Sequence, residues 1–329
     1  MTGAADSGPY LTLVFTGRND DFGGDFNKRF FRALRFNHER LSAAGVTHEF
    51  VFVEWRPLAD RPYLATVLGE AFENLDSSHL QSFVVDPAYH DALSLNPRIQ
   101  FQEFIAKNVG IRRARGQFVL TTNTDIYLGR GAVDFLAARS LESGVLYRAP
   151  RYDVKDHSDT TFMDWDVLHD DRNWEEVNSI RPPYFTNASG DFLLLDRASY
   201  HELRGFNEVY RNAKIHMDGN FCVKAHASGF QLVDIGTPVF HVGRGTLNAQ
   251  RANYRERPGD APWGDIGWNS EVLYMNGPEW GLGEAPERRI DARVTRLDFD
   301  WRAVSPMVQL KRVVSPGELA ASRQSAARP

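Results

Sequence analysis

Residues Lys107 to Leu128 read KNVGIRRARGQFVLTTNTDIYL. The order is a helix end, a turn closed by Gly116, an apolar run from Phe118 to Thr122, and then the polar step Asn123-Thr124-Asp125. The run is short, apolar and β-branched, which predicts a buried strand. Asp125 then stands at the strand's carboxyl end, where open α/β sheets bind their ligands. A hard carboxylate oxygen at that place suits a divalent cation holding a diphosphate.

The flanking sequence repeats the same grammar. Leu11 to Thr16 (LTLVFT) reads as a first strand and exits into Gly17-Arg18-Asn19-Asp20. Phe30, Phe31, Leu34 and Leu41 have helical spacing. Phe50 to Val53 is a second strand that exits at Glu54, Phe83 to Val85 is a third, and Ile99 to Ile111 is a helix. Strands alternating with helices predict a mostly parallel sheet flanked by helices. Beyond Pro150 the pattern changes. Arg151 to Trp174 is dense in Asp, His and Trp without a clean period, which predicts a long functional loop or small insertion. Asp191 to Asp196 reads as a short strand, Ala198 to Leu203 as a helix, and Gly205 to Glu208 as a turn. His216 to Gly229 reads as a helix, and two extended segments follow at 232–235 and 238–241. From about Ala285 the chain is Arg-rich, and its end, SRQSAARP, is expected to fray.

Composition narrows the function classes. The 329 residues are 42% hydrophobic and 25% charged, an ordinary globular balance. A net charge of -5 argues against a nucleic-acid partner, which needs a basic face. Cys222 is the only cysteine, so no intrachain disulfide is expected and a reducing compartment fits. The sequence MTGAADSGPY has no basic and apolar leader pattern, and no apolar run approaches the roughly 20 residues of a membrane span. The expected location is cytoplasmic, with peripheral membrane contact through the Arg-rich tail also compatible. Phosphate-loop, dinucleotide-binding and nucleophile-elbow motifs are all missing, which argues against an NTPase, a Rossmann oxidoreductase and an α/β hydrolase.

Asn108, Gly110, Ala114 and Gly116, followed by a strand and Asp125, resemble the core of GT-A glycosyltransferases, especially inverting family 2. A second stretch carries the same likeness: the strand from Gly190-Asp191, the turn Arg204-Gly205-Phe206-Asn207-Glu208, and the helix start Met217-Asp218. The resemblance departs at Asn123, where the family has its first Asp, and at Met217, where it has Glu. It implies a Rossmann-like GT-A domain over residues 8–245 and a C-terminal extension over 246–329. The implied reaction moves a sugar from a nucleoside-diphosphate donor of UDP or GDP type to an acceptor hydroxyl, with inversion.

The resemblance also assigns roles. Asp125 and His241 would ligate Mn2+ or Mg2+, with Asn123 beside them holding nucleotide or water. Asp218 would be the general base that takes the acceptor proton, with Asp191 as the second candidate. Asp218 also reads as a helix N-cap without any catalysis. Thr16, Gly17, Arg18 and Glu54 would hold base and ribose. Arg112, its neighbour Arg113 and Arg244 would touch the diphosphate. Read from its own residues, the 152–174 loop with Asp153, Asp156 and His157 offers a second metal site or an acceptor-side lid. The lack of EF-hand and H-E-x-x-H spacing favours the lid. Trp165 and Trp174 would stack on a sugar there, and the segment Trp263 to Trp280 would shape the acceptor site. A polysaccharide, a lipid-linked glycan and a small molecule are all compatible acceptors. Two other readings stay open: a retaining GT-A enzyme, and a nucleotide-sugar or glycan-binding protein that has lost catalysis.

Overall fold

The computed structural model describes residues 8–155, 163–211, 216–243, 273–308, 313–314 and 321. The first half runs β1 (Leu11–Gly17), α1 (Phe26–Ala43), β2 (His48–Trp55), α2 (Leu64–Ala71), β3 (Leu80–Val85), α3 (Pro87–Leu93), α4 (Glu103–Arg113) and β4 (Phe118–Thr121). Next come β5 (Ile126–Leu128), α5 (Arg130–Ala137), β6 (Val145–Arg148), β7 (Arg151–Val154), α6 (Trp165–His169) and β8 (Trp174–Asn178). They are followed by β9 (Leu193–Asp196), α7 (Arg197–Leu203), α8 (Met217–Ala227), β10 (Gln231–Asp234) and β11 (Val239–Val242). The C-terminal part adds β12 (Leu273–Tyr274), β13 (Glu287–Arg289), β14 (Val294–Leu297), α9 (Trp301–Val308) and β15 (Val313–Val314).

A nine-stranded sheet in the order β10-β6-β9-β4-β1-β2-β3-β14-β13 forms the centre. Five of its eight pairings are parallel, as the alternating pattern predicts. Helices cover both faces, so the inner strands are apolar on both sides, which is why LTLVFT and FVFV read as continuous runs. Val14, Val51 and Val53 pack with α4, α7 and α8 on one face. Leu13, Phe15, Phe50 and Phe52 pack with α1 and α2 on the other.

Gly110 is where α4 comes closest to the sheet. A Cβ built there would lie 2.5 Å from Val14 Cγ1. Helix α4 itself is buried from Phe104 through Ile111. Its outer side is roofed by Trp280, Leu282 and Ala285, which join the same core. A helix covered all round shows no clean polar stripe.

Three sequence expectations change. Arg151 to Trp174 is not a loop throughout, because it opens with β7 and ends at β8. Arg151 and Asp153 are buried as a mutual ion pair at 3.1 Å, and buried charges disguise a strand from a hydrophobicity reading. The strand expected from Asp191 begins at Leu193, since Ser189–Asp191 is a tight helical turn. The segment after Ala285 continues the central sheet, with β14 lying parallel beside β3.

A second sheet, β5-β11-β7-β8, stands beyond the carboxyl end of β4. β11 pairs antiparallel with β5 and parallel with β7. That register sets His241 beside Ile126 on one side and Asp153 on the other.

Candidate active site

The chain leaves the central sheet at Thr121 and crosses to β5 through Thr122 to Asp125. Thr122 Oγ1 fixes the crossing by donating to the Asp191 carbonyl at 2.8 Å. Asp125 is 8% exposed. Its Oδ2 accepts from Arg29 Nη1 at 2.8 Å and faces His241 Nε2 at 3.2 Å. The other imidazole nitrogen, Nδ1, lies 3.2 Å from Asp153 Oδ1. The 3.2 Å approach to Asp153 meets an ion-pair distance and not a hydrogen-bond geometry; an imidazole carrying its hydrogen on Nδ1 would turn the Nε2 lone pair toward Asp125. In that tautomer the two acceptors would have room for a cation between them, beside the Arg29 guanidinium that already pairs with Oδ2. Neighbouring ligands on a divalent ion at about 2.1 Å each stand about 3 Å apart, which the 3.2 Å separation matches.

From Asp153 the polar chain continues. Asp153 Oδ2 accepts from Arg151 Nη2 at 3.1 Å and from Asn178 Nδ2 at 2.9 Å. Arg151 Nη1 donates to Asp191 Oδ2 at 2.6 Å, and Asn123 Nδ2 donates to Asp191 Oδ1, also at 2.6 Å. Asn123 Oδ1 accepts from Lys107 Nζ at 2.9 Å. Lys107 is fully buried and also bonds Gly190 O at 3.0 Å and Glu103 at 2.9 Å. A single network thus joins α4, the β4 exit, β7, β11 and the 189–191 turn.

Asp218 sits in the first turn of α8, where the helix dipole favours an anion. Its Oδ2 accepts from Gly190 N at 2.6 Å and from Ser189 Oγ at 2.8 Å. Neither bond uses Oδ1. The half-exposed Asp218 therefore keeps one oxygen clear of these bonds, while the buried Asp191 has a hydrogen bond on each oxygen. Arg148 underlies this region. It is fully buried and donates to the carbonyls of Phe185, Asn187, Ser189 and Phe192, and burial lowers its pKa.

The structure brings Asp125, His241, Asn123 and Asp191 into one constellation, with Asp218 tied to it through Gly190. Thr16, Gly17 and Arg18 lie at the carboxyl end of β1. A Cβ at Gly17 would fall 3.0 Å from Phe26 Cζ, so a side chain there would push that ring aside. Arg18 faces Asp20 at 3.4 Å.

Glu54 does not present itself to a ligand. It is fully buried, and its two oxygens accept from Leu64 N and Ala65 N at 2.9 Å each, which holds the start of α2. Burial pushes its carboxyl up to about 7, outweighing the two amide bonds that pull it down. Arg112 lies at the end of α4, before β4 begins and so at the opposite edge of the sheet from Asp125. It donates to the carbonyls of Pro278 and Trp280 at 2.8 and 3.0 Å, and Arg113 donates to Gly281 and Leu282 at 2.9 and 3.1 Å. Both arginines fasten the C-terminal segment.

Trp280 is correspondingly a core residue and not part of an acceptor mouth. Trp165 and Trp174 also anchor, with indole nitrogens donating to Leu128 O and Leu168 O. Arg244, Trp263 and the acidic stretch Asp156 to Asp159 lie outside the described residues.

Arg29, Lys107, Arg148 and Arg151 belong to the site's framework and escape a motif reading, and Asp153, one of the acidic residues of the 152–174 segment, joins them there. Lys107 has a local signal in its four-residue spacing from Glu103 on α4, and Arg151 and Asp153 have one in their two-residue spacing on β7. The others are set by contacts between distant segments.

Among the described residues no helix is long and apolar enough to cross a membrane, and no group of three or more His, Cys, Asp or Glu is arranged to hold a metal. No protein-family model and no curated protein matches the chain. Solved structures similar to it include the catalytic domain of Drosophila beta1,4-galactosyltransferase 7 in complex with xylobiose, at 13% identity, TM-score 0.42, covering 90% of this chain and 98% of that one. A variant of that enzyme with manganese, UDP-Gal and xylobiose aligns at 13% identity and TM-score 0.42, covering 91% and 98%. GalNAc-T7 with UDP, GalNAc and Mn2+ aligns at 12% identity and TM-score 0.48, covering 72% of this chain and 44% of that one.

Proposed function

We propose that the protein is a glycosyltransferase that moves a sugar from a nucleoside-diphosphate donor to an acceptor hydroxyl with inversion. The observation that carries this reading is the facing of Asp125 Oδ2 and His241 Nε2 at 3.2 Å beyond the carboxyl end of β4. One oxygen and one imidazole nitrogen suit Mn2+ better than Mg2+, which prefers oxygen ligands throughout. Two protein ligands are enough where diphosphate oxygens and water fill the other positions. When bound, such an ion supplies a Lewis acid for the charge on the leaving diphosphate.

The chain's own residues do the rest. Asp153 orients the imidazole of His241. Lys107 and Asn123 hold the β4 exit against the 189–191 turn. Asp218, anchored through Oδ2, offers Oδ1 to the acceptor hydroxyl as the proton leaves. Asp191 serves as a fixed strut, because Arg151 keeps its carboxylate paired at 2.6 Å.

Thermal unfolding with UDP, GDP, dTDP or CMP, each with and without Mn2+, tests the donor site. Metal-dependent stabilisation by one diphosphate, lost in Asp125→Ala, is the expected result. No stabilisation by any of them would sink the reading. A binding protein without turnover is the second reading, favoured by Asn123, whose amide is committed to Asp191 and Lys107. Product formation from the donor so identified separates the two.

A further inference from the structure

Arg29 is a buried cation at the site with no part in the reaction as proposed. Its guanidinium reaches from α1 to Asp125, with Nη1 2.8 Å from Oδ2. Its other nitrogens hold neutral acceptors, Nη2 on Phe22 O at 2.6 Å and Nε on Gly24 O at 3.1 Å. The 21–25 segment carrying those carbonyls follows β1, and Asp21, Gly23, Gly24 and Asp25 all take positive φ. The Asp125 oxygen that Arg29 holds is the same one that faces His241. A divalent ion on Oδ2 would therefore stand beside a guanidinium on the same atom, and two cations at that range repel strongly in a buried site.

We infer that Arg29 exchanges partners: it holds Asp125 when no divalent ion is there, and passes to the donor's diphosphate when the ion takes Oδ2. This rests on the metal-assisted reading of Asp125 and His241. Leaving Asp125 costs Arg29 no charge pairing once it meets a diphosphate, which a guanidinium grips through two parallel hydrogen bonds. The carbonyls of Phe22 and Gly24 move with it, so the 21–25 segment reports the exchange. Arg29 thereby makes metal binding and nucleotide binding favour each other, a reciprocal coupling between two ligands.

The test is a titration of Mn2+ alone, read by the electron paramagnetic resonance of free Mn2+, on wild type, Arg29→Gln and Asp125→Asn. Arg29→Gln is expected to bind Mn2+ at least tenfold more tightly than wild type, and then to bind UDP or GDP about tenfold more weakly at saturating Mn2+. Asp125→Asn is expected to lose Mn2+ binding. If wild type binds Mn2+ and Arg29→Gln binds it no tighter, the exchange is overturned and the metal site stands. If neither binds Mn2+, the metal reading falls and the exchange with it.

Hydrogen exchange on the wild-type protein needs no variant. The Gly24 and Phe26 amides, bonded to Asp21 O at 2.9 Å and Asp21 Oδ1 at 2.8 Å, should exchange faster when Mn2+ is added alone. Unchanged or slower exchange there would overturn the proposal.

Discussion

Asp153 Oδ1 lies 3.2 Å from His241 Nδ1, and the two residues are register partners across β7 and β11. A carboxylate behind an imidazole fixes its tautomer and raises the basicity of the far nitrogen. Asp153→Asn is therefore expected to weaken Mn2+ binding by about 10–100-fold. It should also lower the melting temperature, because Arg151 and Asn178 share the same carboxylate. Titration with Mn2+ at fixed pH measures the first effect, and an unchanged affinity would remove Asp153 from the proposed metal site.

Asp218 and Asp191 make a contrasting pair. One is half-exposed and anchored through a single oxygen, and the other is buried with both oxygens bonded. Asp218→Asn keeps an oxygen for Gly190 N and Ser189 Oγ but cannot take a proton. Transfer should fall by about 10²–10⁴-fold, the usual worth of a positioned base, with donor binding retained. Asp191→Asn should instead act mainly on stability. Loss of donor binding in Asp218→Asn would show a structural role for Asp218.

Lys107 has no solvent exposure and bridges Glu103, Asn123 and Gly190. Lys107→Met fits the space and leaves three acceptors without their donor. Removing one partner of a buried charged network costs about 3–5 kcal/mol. Because Glu103 retains some contact with water, about 3 kcal/mol is expected here. Urea unfolding of the two proteins measures it, and a loss under about 1 kcal/mol, the size of one ordinary hydrogen bond, would show that the network does not depend on Lys107.

The central sheet is legible in the sequence because its inner strands are apolar on both faces. Leu11 to Thr16 and Phe50 to Val53 announce themselves through that one property, and the structure extends each by only a residue or two at its ends. Gly110 and Gly116 are legible as glycines. Their reason, close approach to Val14 Cγ1 and to the backbone of Thr12, belongs to the packing. The small sheet is hidden. Its β7 carries Arg151 and Asp153 into the interior as a pair, and charged residues in a row read as a solvated loop. Glu54 misleads for a related reason. A strand-end carboxylate looks like a ligand contact until its two amide partners from α2 are seen.

Glu54 carries a dependence on pH of its own. Its pKa stands near 7 in the folded protein because burial opposes the charge, against an ordinary value of 4.5. Between those two values the folded state holds a proton that the unfolded chain has released. The contribution of Glu54 to stability therefore falls as pH rises from 4.5 through 7 and is complete only below 4.5. The whole effect is at most about 3 kcal/mol at about 1.4 kcal/mol per pH unit. Glu54→Gln is uncharged at every pH and keeps one acceptor oxygen for Leu64 N or Ala65 N. At pH 5 it should be less stable than wild type by about 1 kcal/mol, the worth of the hydrogen bond it gives up. At pH 8 it should be the more stable of the two, since wild type must then carry a buried charge. Urea midpoints of both proteins at the two pH values decide the matter, and parallel shifts with no change of sign would show that Glu54 ionises as freely in the fold as it does outside it.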